Sequence, residues 1–225
     1  ASVMPVRASI SASHAADPYP ARPIRLIVPY AAGGSADIVA RRISEEWAKA
    51  TGGNIYIENK GGAGGNIGVD TVAKSDPDGY TIGLQTVSLA INPSLFPKMP
   101  YNTLKDIAPI GMIASSQHVL VVHPTFPAKN TKELLTVLRA NPGKYHYGSA
   151  GAGSTFHMSA ELFKAVAQVD VIHVPYKGGG QAITDLVAGQ IRIGSLGSSP
   201  VIPHYRAGKL RLLAVSSATR SAAAP

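Results

Sequence analysis

Four glycine-rich segments, Ala31 to Asp37, Gly61 to Asn66, Gly148 to Ser154 and Pro175 to Gly180, each stand between an apolar or alternating run and a stretch of helical periodicity. A chain that repeats strand, glycine loop, helix has few folds open to it. Each strand buries apolar side chains against the helix that follows, and successive strands then lie side by side in one direction, which predicts an α/β architecture with mainly parallel sheets. In an open sheet of that kind such loops collect at the carboxyl ends of the strands, where ligands bind. The helix starts there present free N–H groups and a partial positive charge, so they suit an anion. Any one loop alone reads as a tight strand-to-helix turn; the information lies in the four together.

Along the chain, Ile24 to Val28 is a short apolar run ending at Pro29, and residues 35–50 place Ile38, Val39, Ile43 and Trp47 on one helical face. Asn54 to Glu58 alternates like a strand, residues 66–73 suit a helix, and Asp76-Pro77-Asp78-Gly79 turns the chain into a third strand, Tyr80 to Leu84. Further strands are predicted at residues 110–113, 119–122, 145–147, 171–174, 191–193 and 210–215. Helices are predicted from Thr131, acting as cap, to the Asn141-Pro142-Gly143 stop, then at 154–166, 181–188 and about 200–207. The three prolines between Asn92 and Asn102 make that segment a loop and the natural exit from a first lobe of residues 20–104. Residues 105–215 then form a second lobe, and residues 216–225 cross back toward the first. The chain stops directly after an apparent strand, so a C-terminal contribution to the first lobe is expected to be missing from this sequence.

Composition narrows the function. The formal charge of +8 favours anionic partners, but the basic residues are dispersed and not interleaved with aromatics, which disfavours nucleic acid. No stretch reaches the roughly 20 uninterrupted apolar residues of a membrane-spanning helix. With no cysteine there is no disulfide framework and no thiolate metal site. Ser13-His14-Ala15 puts small residues at the two positions a signal peptidase reads, ahead of Asp17-Pro18-Tyr19-Pro20, yet no clean apolar core precedes it. Residues 1–19 are therefore either the remnant of a leader or a flexible terminus.

Enzyme chemistry finds little support. A Rossmann-like nucleotide-dependent oxidoreductase is the main alternative, because Val28 to Asp37 is strand, glycines, helix and Glu58 ends the second strand about 20 residues on. The glycine order fails, however: Gly33-Gly34 lacks the G-x-G-x-x-G pattern, and Gly148, Gly151 and Gly153 run it wrongly. No Walker lysine follows a glycine loop with Ser or Thr. Ser149 has Tyr147 where a nucleophile elbow needs glycine. His118, His123, His173 and His204 show no metal-ligand spacing, so neither a metal, a cofactor nor a catalytic residue is predicted. Asp37, in the opening turn of its helix, suits a brace for the first loop, with ligand contact as the other option. His157 lies one helical turn beyond Ser154 and reads either as a helix-face histidine or as a ligand contact.

At these same loops the chain resembles the substrate receptors of tripartite tricarboxylate transporters, also called Bug-type periplasmic binding proteins. The match runs from about Pro20 and rests on Ile27 to Asp37, Glu58 to Gly68, Tyr147 to Ser154 with His157 and Glu161-Leu162-Phe163, and Val174 to Gly178. The resemblance implies a two-lobed fold like that of type II periplasmic binding proteins, a periplasmic monomer that hinges shut on a small organic acid and hands it to a membrane permease. Di- or tricarboxylates, aromatic acids and amino acids all fall within that class. Carried over by position, the first lobe contributes Gly33, Gly34, Ser35, Asp37, Gly64, Gly65, Asn66 and Thr86 to ligand binding. The second contributes Ser149, Ala150, Gly153, Ser154, His157, Tyr176, Lys177 and Ser195. The chain departs from the family pattern at Gly61, where many relatives have proline, and at Ile193 to Gly197, which replaces a phenylalanine-containing stretch.

Overall fold

Apolar residues that alternate along the strands and recur along the helices build two sheets with helices on their faces. The structure, a computed structural model, describes residues 19–223. The first sheet has three parallel strands, β1 (Ile24–Val28), β2 (Ile55–Asn59) and β3 (Thr81–Gly83), in the order β2-β1-β3. Helix α1 (Ser35–Thr51) covers one face, where Leu26, Val28, Ala40 and Leu84 form the core. Helix α2 (Asn66–Ala73) packs on β1 and β3 from the other. Gly52, in the left-handed region at φ 70°, ends α1, and its N–H returns to Ala48 O. β3 is an outer strand of this sheet, and beside it a cavity of about 640 Å³ is lined by Val69, Val72, Leu84, Leu89 and Ile107.

The second sheet has five strands in the order β6-β5-β7-β4-β8. These are β4 (His118–Val122), β5 (His146–Ser149), β6 (Ile172–Pro175), β7 (Ile193–Gly197) and β8 (Arg211–Val215). β6, β5 and β7 are parallel, and β4 runs against both β7 and β8. The two-residue period of β4 divides its valines between two cores. Val119 and Val121 join Leu186, Leu196 and Val201 under α6 (Gly179–Val187) and α7 (Ser198–Arg206). Val122 faces the opposite way, toward Phe126, Leu134 and Leu138 beneath α4 (Thr131–Arg139) and α5 (Thr155–Ala167). Each fully buried leucine here contributes roughly 1.5–3 kcal/mol.

Three expectations are corrected. Residues 110–113 form no strand: Ile110 and Met112 are about nine-tenths exposed, and this apolar run pairs with neither sheet. Alternation shows that a segment can be a strand, but a strand exists only where a partner edge meets it. The supposed loop from Asn92 begins inside a helix, α3 (Ser88–Leu95), which tolerates Pro93 within a single short span and buries Ser88 and Asn92. Asn130, not Thr131, caps α4, its side chain accepting the Glu133 N–H. The peptidase-like signal at residues 13–15 lies outside the described residues.

Candidate functional site

The loops after β1, β2, β5, β6 and β7 meet along a seam between the two sheet units. The Ala31 N–H donates to Lys177 O at 2.9 Å across it. Elsewhere the approach is backbone against backbone, and glycine makes it possible. A Cβ on Gly61 would overlap Lys177 O, one on Gly180 would overlap Ala32 O, and one on Gly64 would overlap Ala152 O. Four helices start at this seam behind glycine N-caps: α1 after Gly34, α2 after Gly65, α6 after Gly178 and α7 after Gly197. None of the four has a side-chain cap, whereas α4 and α5 are capped by Asn130 and Ser154. Two of the four first N–H groups are taken by backbone, Ser198 of α7 donating to Gln117 O at 3.0 Å and Asn66 of α2 to Ala63 O; the positive ends of all four helix dipoles remain directed at the seam.

On the first unit, Gly33 turns the chain at φ 81° and gives its N–H to Asp37 Oδ2 at 3.0 Å. Asp37 is 3% exposed and also receives Arg41 and Asn59, so every part of its carboxylate is engaged within its own unit. Burial works to raise its pKa, but the bonds from Arg41, Gly33 and Asn59 outweigh it and hold the carboxyl below its ordinary range. Asp37 therefore shapes the loop from behind. Ser35 stands at the start of α1 facing Gly197, and its hydroxyl is buried without a partner. Gly64 and Gly65 are both buried, and the side chain of Asn66 is spent internally: Oδ1 accepts from Asn92 and Tyr101, each at 2.8 Å. The Thr86 hydroxyl sits 2.9 Å from Tyr30 Oη and 2.8 Å from Ser88 Oγ, in a three-hydroxyl cluster. Burial, opposed by those hydroxyls, raises the Tyr30 pKa.

On the second unit, Ser149 is fully buried, with Oγ 2.7 Å from His173 Nε2 and accepting the Gly151 N–H. His173 is sandwiched between His157, at 4.1 Å between ring centroids, and Tyr147, at 4.9 Å. Burial, then the neighbouring His157, push its pKa down to about 4, and burial lowers His157 as well, so both rings are neutral at pH 7. His157 Nδ1 accepts the Gly153 N–H at 3.3 Å, placing this stack directly under the third glycine loop. Ala150 and Ser154 are buried in the same loop, Ser154 capping α5. Tyr176 gives its hydroxyl to Asp185 at 2.7 Å, and burial with that bond raises its pKa to about 12. Lys177 reaches the seam through its carbonyl, while the residue itself is exposed.

The family model described as "Tripartite tricarboxylate transporter family receptor" matches residues 39–225. The chain belongs to this receptor family. BugT of Bordetella pertussis is 38% identical over 216 residues, 95% of this chain and 66% of its own length. A solved structure described as a periplasmic transporter is 44% identical with a TM-score of 0.88, covering 91% of this chain and 69% of that one. Rpa4515 of R. palustris with adipate (33% identical, TM-score 0.86, 90% and 68% covered) and MatC of Rhodopseudomonas palustris with bound malate (33%, 0.81, 90% and 69%) have the same fold. The chain spans about two thirds of the length of these relatives.

Within this receptor family, two departures acquire a structural meaning. Gly61 lies so close to Lys177 O that any Cβ there, proline's included, would push the two units apart. Ser195, on β7, donates to Phe156 O at 2.8 Å and faces a cavity of about 220 Å³ beneath α4 and α5 with His118 and Ser159; its hydroxyl is turned away from the seam. The alternative nucleotide reading required Glu58 to be free for a ribose, and its carboxylate is held by Arg25 at 2.7 Å and Lys60 at 3.2 Å. Sequence reasoning missed Asn92, Tyr30, Ser88 and His173. Asn92 and Ser88 were hidden by the proline count of their segment, and His173 sits in a strand whose neighbours gave no metal or triad spacing. Among the described residues no three His, Cys, Asp or Glu side chains gather as a metal site, and no helix is long and apolar enough to cross a membrane.

Proposed function

We propose that the protein is an extracytoplasmic solute receptor whose two lobes, residues 20–104 and 105–215, close on a small carboxylate at the glycine seam. Residues 216–225 lead back toward the first lobe, and the hinge lies near residues 102–106 and 215–220. The observation that carries this is the convergence of four glycine-capped helix starts from both units on one seam. Hydrogen bonds to a charged group contribute roughly 1.5–3 kcal/mol each, and micromolar affinity needs about 8 kcal/mol. Four to six such donors bind an acid without a buried arginine, after the costs of ordering. Gly33, Gly34, Ser35, Gly64 and Gly65 act from the first lobe, and Ala150, Gly153, Lys177 and the residues about them from the second. Ligand contacts to both lobes stabilise the closed form, as differential affinity requires. The protein carries no catalytic group and no cofactor, works in the periplasm, and delivers its acid to the permease of a tripartite tricarboxylate-type transporter. The adipate and malate of its relatives support the acid class.

A thermal-shift screen tests this with mono-, di- and tricarboxylates, aromatic acids and amino acids, and with NAD and ATP as controls. A solute at a hundred times its Kd stabilises by about 2.7 kcal/mol. Shifts confined to one acid class are expected. A shift with NAD alone would replace the receptor proposal with the oxidoreductase alternative.

A further inference from the structure

Charge is divided unevenly between the two units. Residues 20–104 hold eight Lys and Arg against seven Asp and Glu, whereas residues 105–225 hold twelve against five. Pairing differs more sharply still. Among the described residues, every Lys and Arg of the first unit except Lys98 lies in an ion pair, and in the second unit only Lys164 does. Dispersed in sequence, the unpaired cations gather at one end of the second sheet. The seam takes the carboxyl ends of β5, β6 and β7. At the opposite end β4 finishes at Val122, level with Ile193 of β7 and Arg211 of β8. There the His123 N–H donates to Arg192 O at 3.0 Å, and Arg211 Nη1 donates to Ala128 O at 2.9 Å beside Lys129. Lys144 and Lys209 stand just ahead of β5 and β8, and Arg139 reaches the same end through its bond to Ala167 O at 2.9 Å. All six but Arg211 are exposed, and the carboxylates near them are Glu133 and Asp170. Two large apolar side chains join them: Val166, on the last turn of α5, is 77% exposed, and Ile172, on the outer strand β6, is 44% exposed.

We propose that this pole of the second unit is a docking surface for a membrane of anionic phospholipid. Its long basic side chains have no carboxylate partner and adapt to a fluid array of phosphates, while Val166 and Ile172 enter the headgroup layer beside them. A protein partner asks for a different surface. Interface cores are poor in lysine and rich in aromatics, and the exposed aromatics among the described residues, Tyr19 and Tyr56, both belong to the first unit. Each Lys or Arg near an anionic surface strengthens partitioning about fivefold, within a screening length of about 10 Å at about 0.1 M salt. Docked by this end, the protein keeps its seam on the far side, open to solute.

Sedimentation of the full chain, without solute, with phosphatidylglycerol vesicles and with phosphatidylcholine vesicles as the neutral control tests this. The protein should partition onto the anionic vesicles at about 0.1 M salt, stay off the neutral ones, and be released at about 1 M, where screening shortens to about 3 Å. Lys144→Gln, Arg192→Gln and Lys209→Gln combined should weaken partitioning about a hundredfold. Arg22→Gln, Lys49→Gln and Lys74→Gln combined remove the same formal charge from the first unit and should change it by less than about threefold. All six of these side chains are exposed, and the comparison of the two vesicles on the unaltered protein stands by itself if a variant does not fold. An equal loss in both variants overturns the pole, because net charge alone would then carry the binding. Equal binding to both vesicles overturns the anionic lipid, and binding to neither overturns it in favour of an acidic protein surface. None of these results bears on the receptor reading, which concerns the solute.

Discussion

Gly180 offers a way to separate closure from folding. It is the second residue of α6, and its φ lies outside the left-handed region, so alanine fits the backbone without strain. Within its own unit, Gly180→Ala should stabilise, because alanine gains roughly 0.5–1 kcal/mol over glycine in a helix. Across the seam the effect reverses. The new Cβ would overlap Ala32 O and stand 3.1 Å from Gly33 C and 3.2 Å from Ala32 C, all backbone atoms of the opposite loop. Relief requires the two units to separate, and overpacking of this kind costs typically 1–3 kcal/mol. That cost falls on the closed form alone. The expected result is a melting temperature of the ligand-free protein raised by about 1–3 °C, with affinity for the solute lowered about tenfold by calorimetry. Unchanged affinity would refute the placement of Gly180 at the closing surface. A parallel loss of stability and affinity would show that the seam belongs to the fold and not to a closing motion.

Three further outcomes follow from the same contacts. Asp37→Ala should lower the unfolding free energy by about 1–3 kcal/mol, because it strands the Gly33 N–H and one hydrogen of Asn59 Nδ2, the other staying on Tyr30 O; a loss of binding with no change in denaturant midpoint would make Asp37 a ligand contact and not a brace. His173 and His157 have pKa values depressed in the folded state, so the unfolded chain binds more protons below its ordinary histidine value. Stability is full above about pH 6.5 and falls as pH drops toward about 4. In thermal melts at stepped pH, His173→Gln should flatten that fall; an unaltered slope would place its origin elsewhere. Gly61→Ala should weaken solute binding, since its Cβ meets Lys177 O, and, unlike Gly180→Ala, should also lower the melting temperature, since the same Cβ comes within 2.9 Å of Ala31 N in its own unit; calorimetry showing native affinity would count against the seam.

What was legible in the sequence was the local grammar. The apolar runs at β1 and β4 and the glycine loops follow from side-chain periodicity and backbone freedom, which act within a few residues; the face of α1 was legible only in part, since Val39, Ile43 and Trp47 are partly covered while Ile38 is exposed and Asp37 and Ala40 are the residues the helix buries. Residues 110–113 failed because a strand is a pairwise object, and α3 failed because prolines at Pro93, Pro97 and Pro100 were given more weight than the packing of Ser88 and Asn92. The loops that form the seam were legible from their glycines. The partners of their side chains were not: that Asn66 and Thr86 are held internally, that Ser195 faces a cavity in its own unit, and that Asn92 leaves an acceptor at the seam all depend on residues far apart in the chain.

Closure on the solute is the central claim, and small-angle scattering of the protein with and without the acid that gives the largest thermal shift tests it most directly. The account predicts a smaller radius of gyration at saturation, and a reduced compaction for Gly180→Ala at matched occupancy. A saturating acid that leaves the scattering curve unchanged would contradict it.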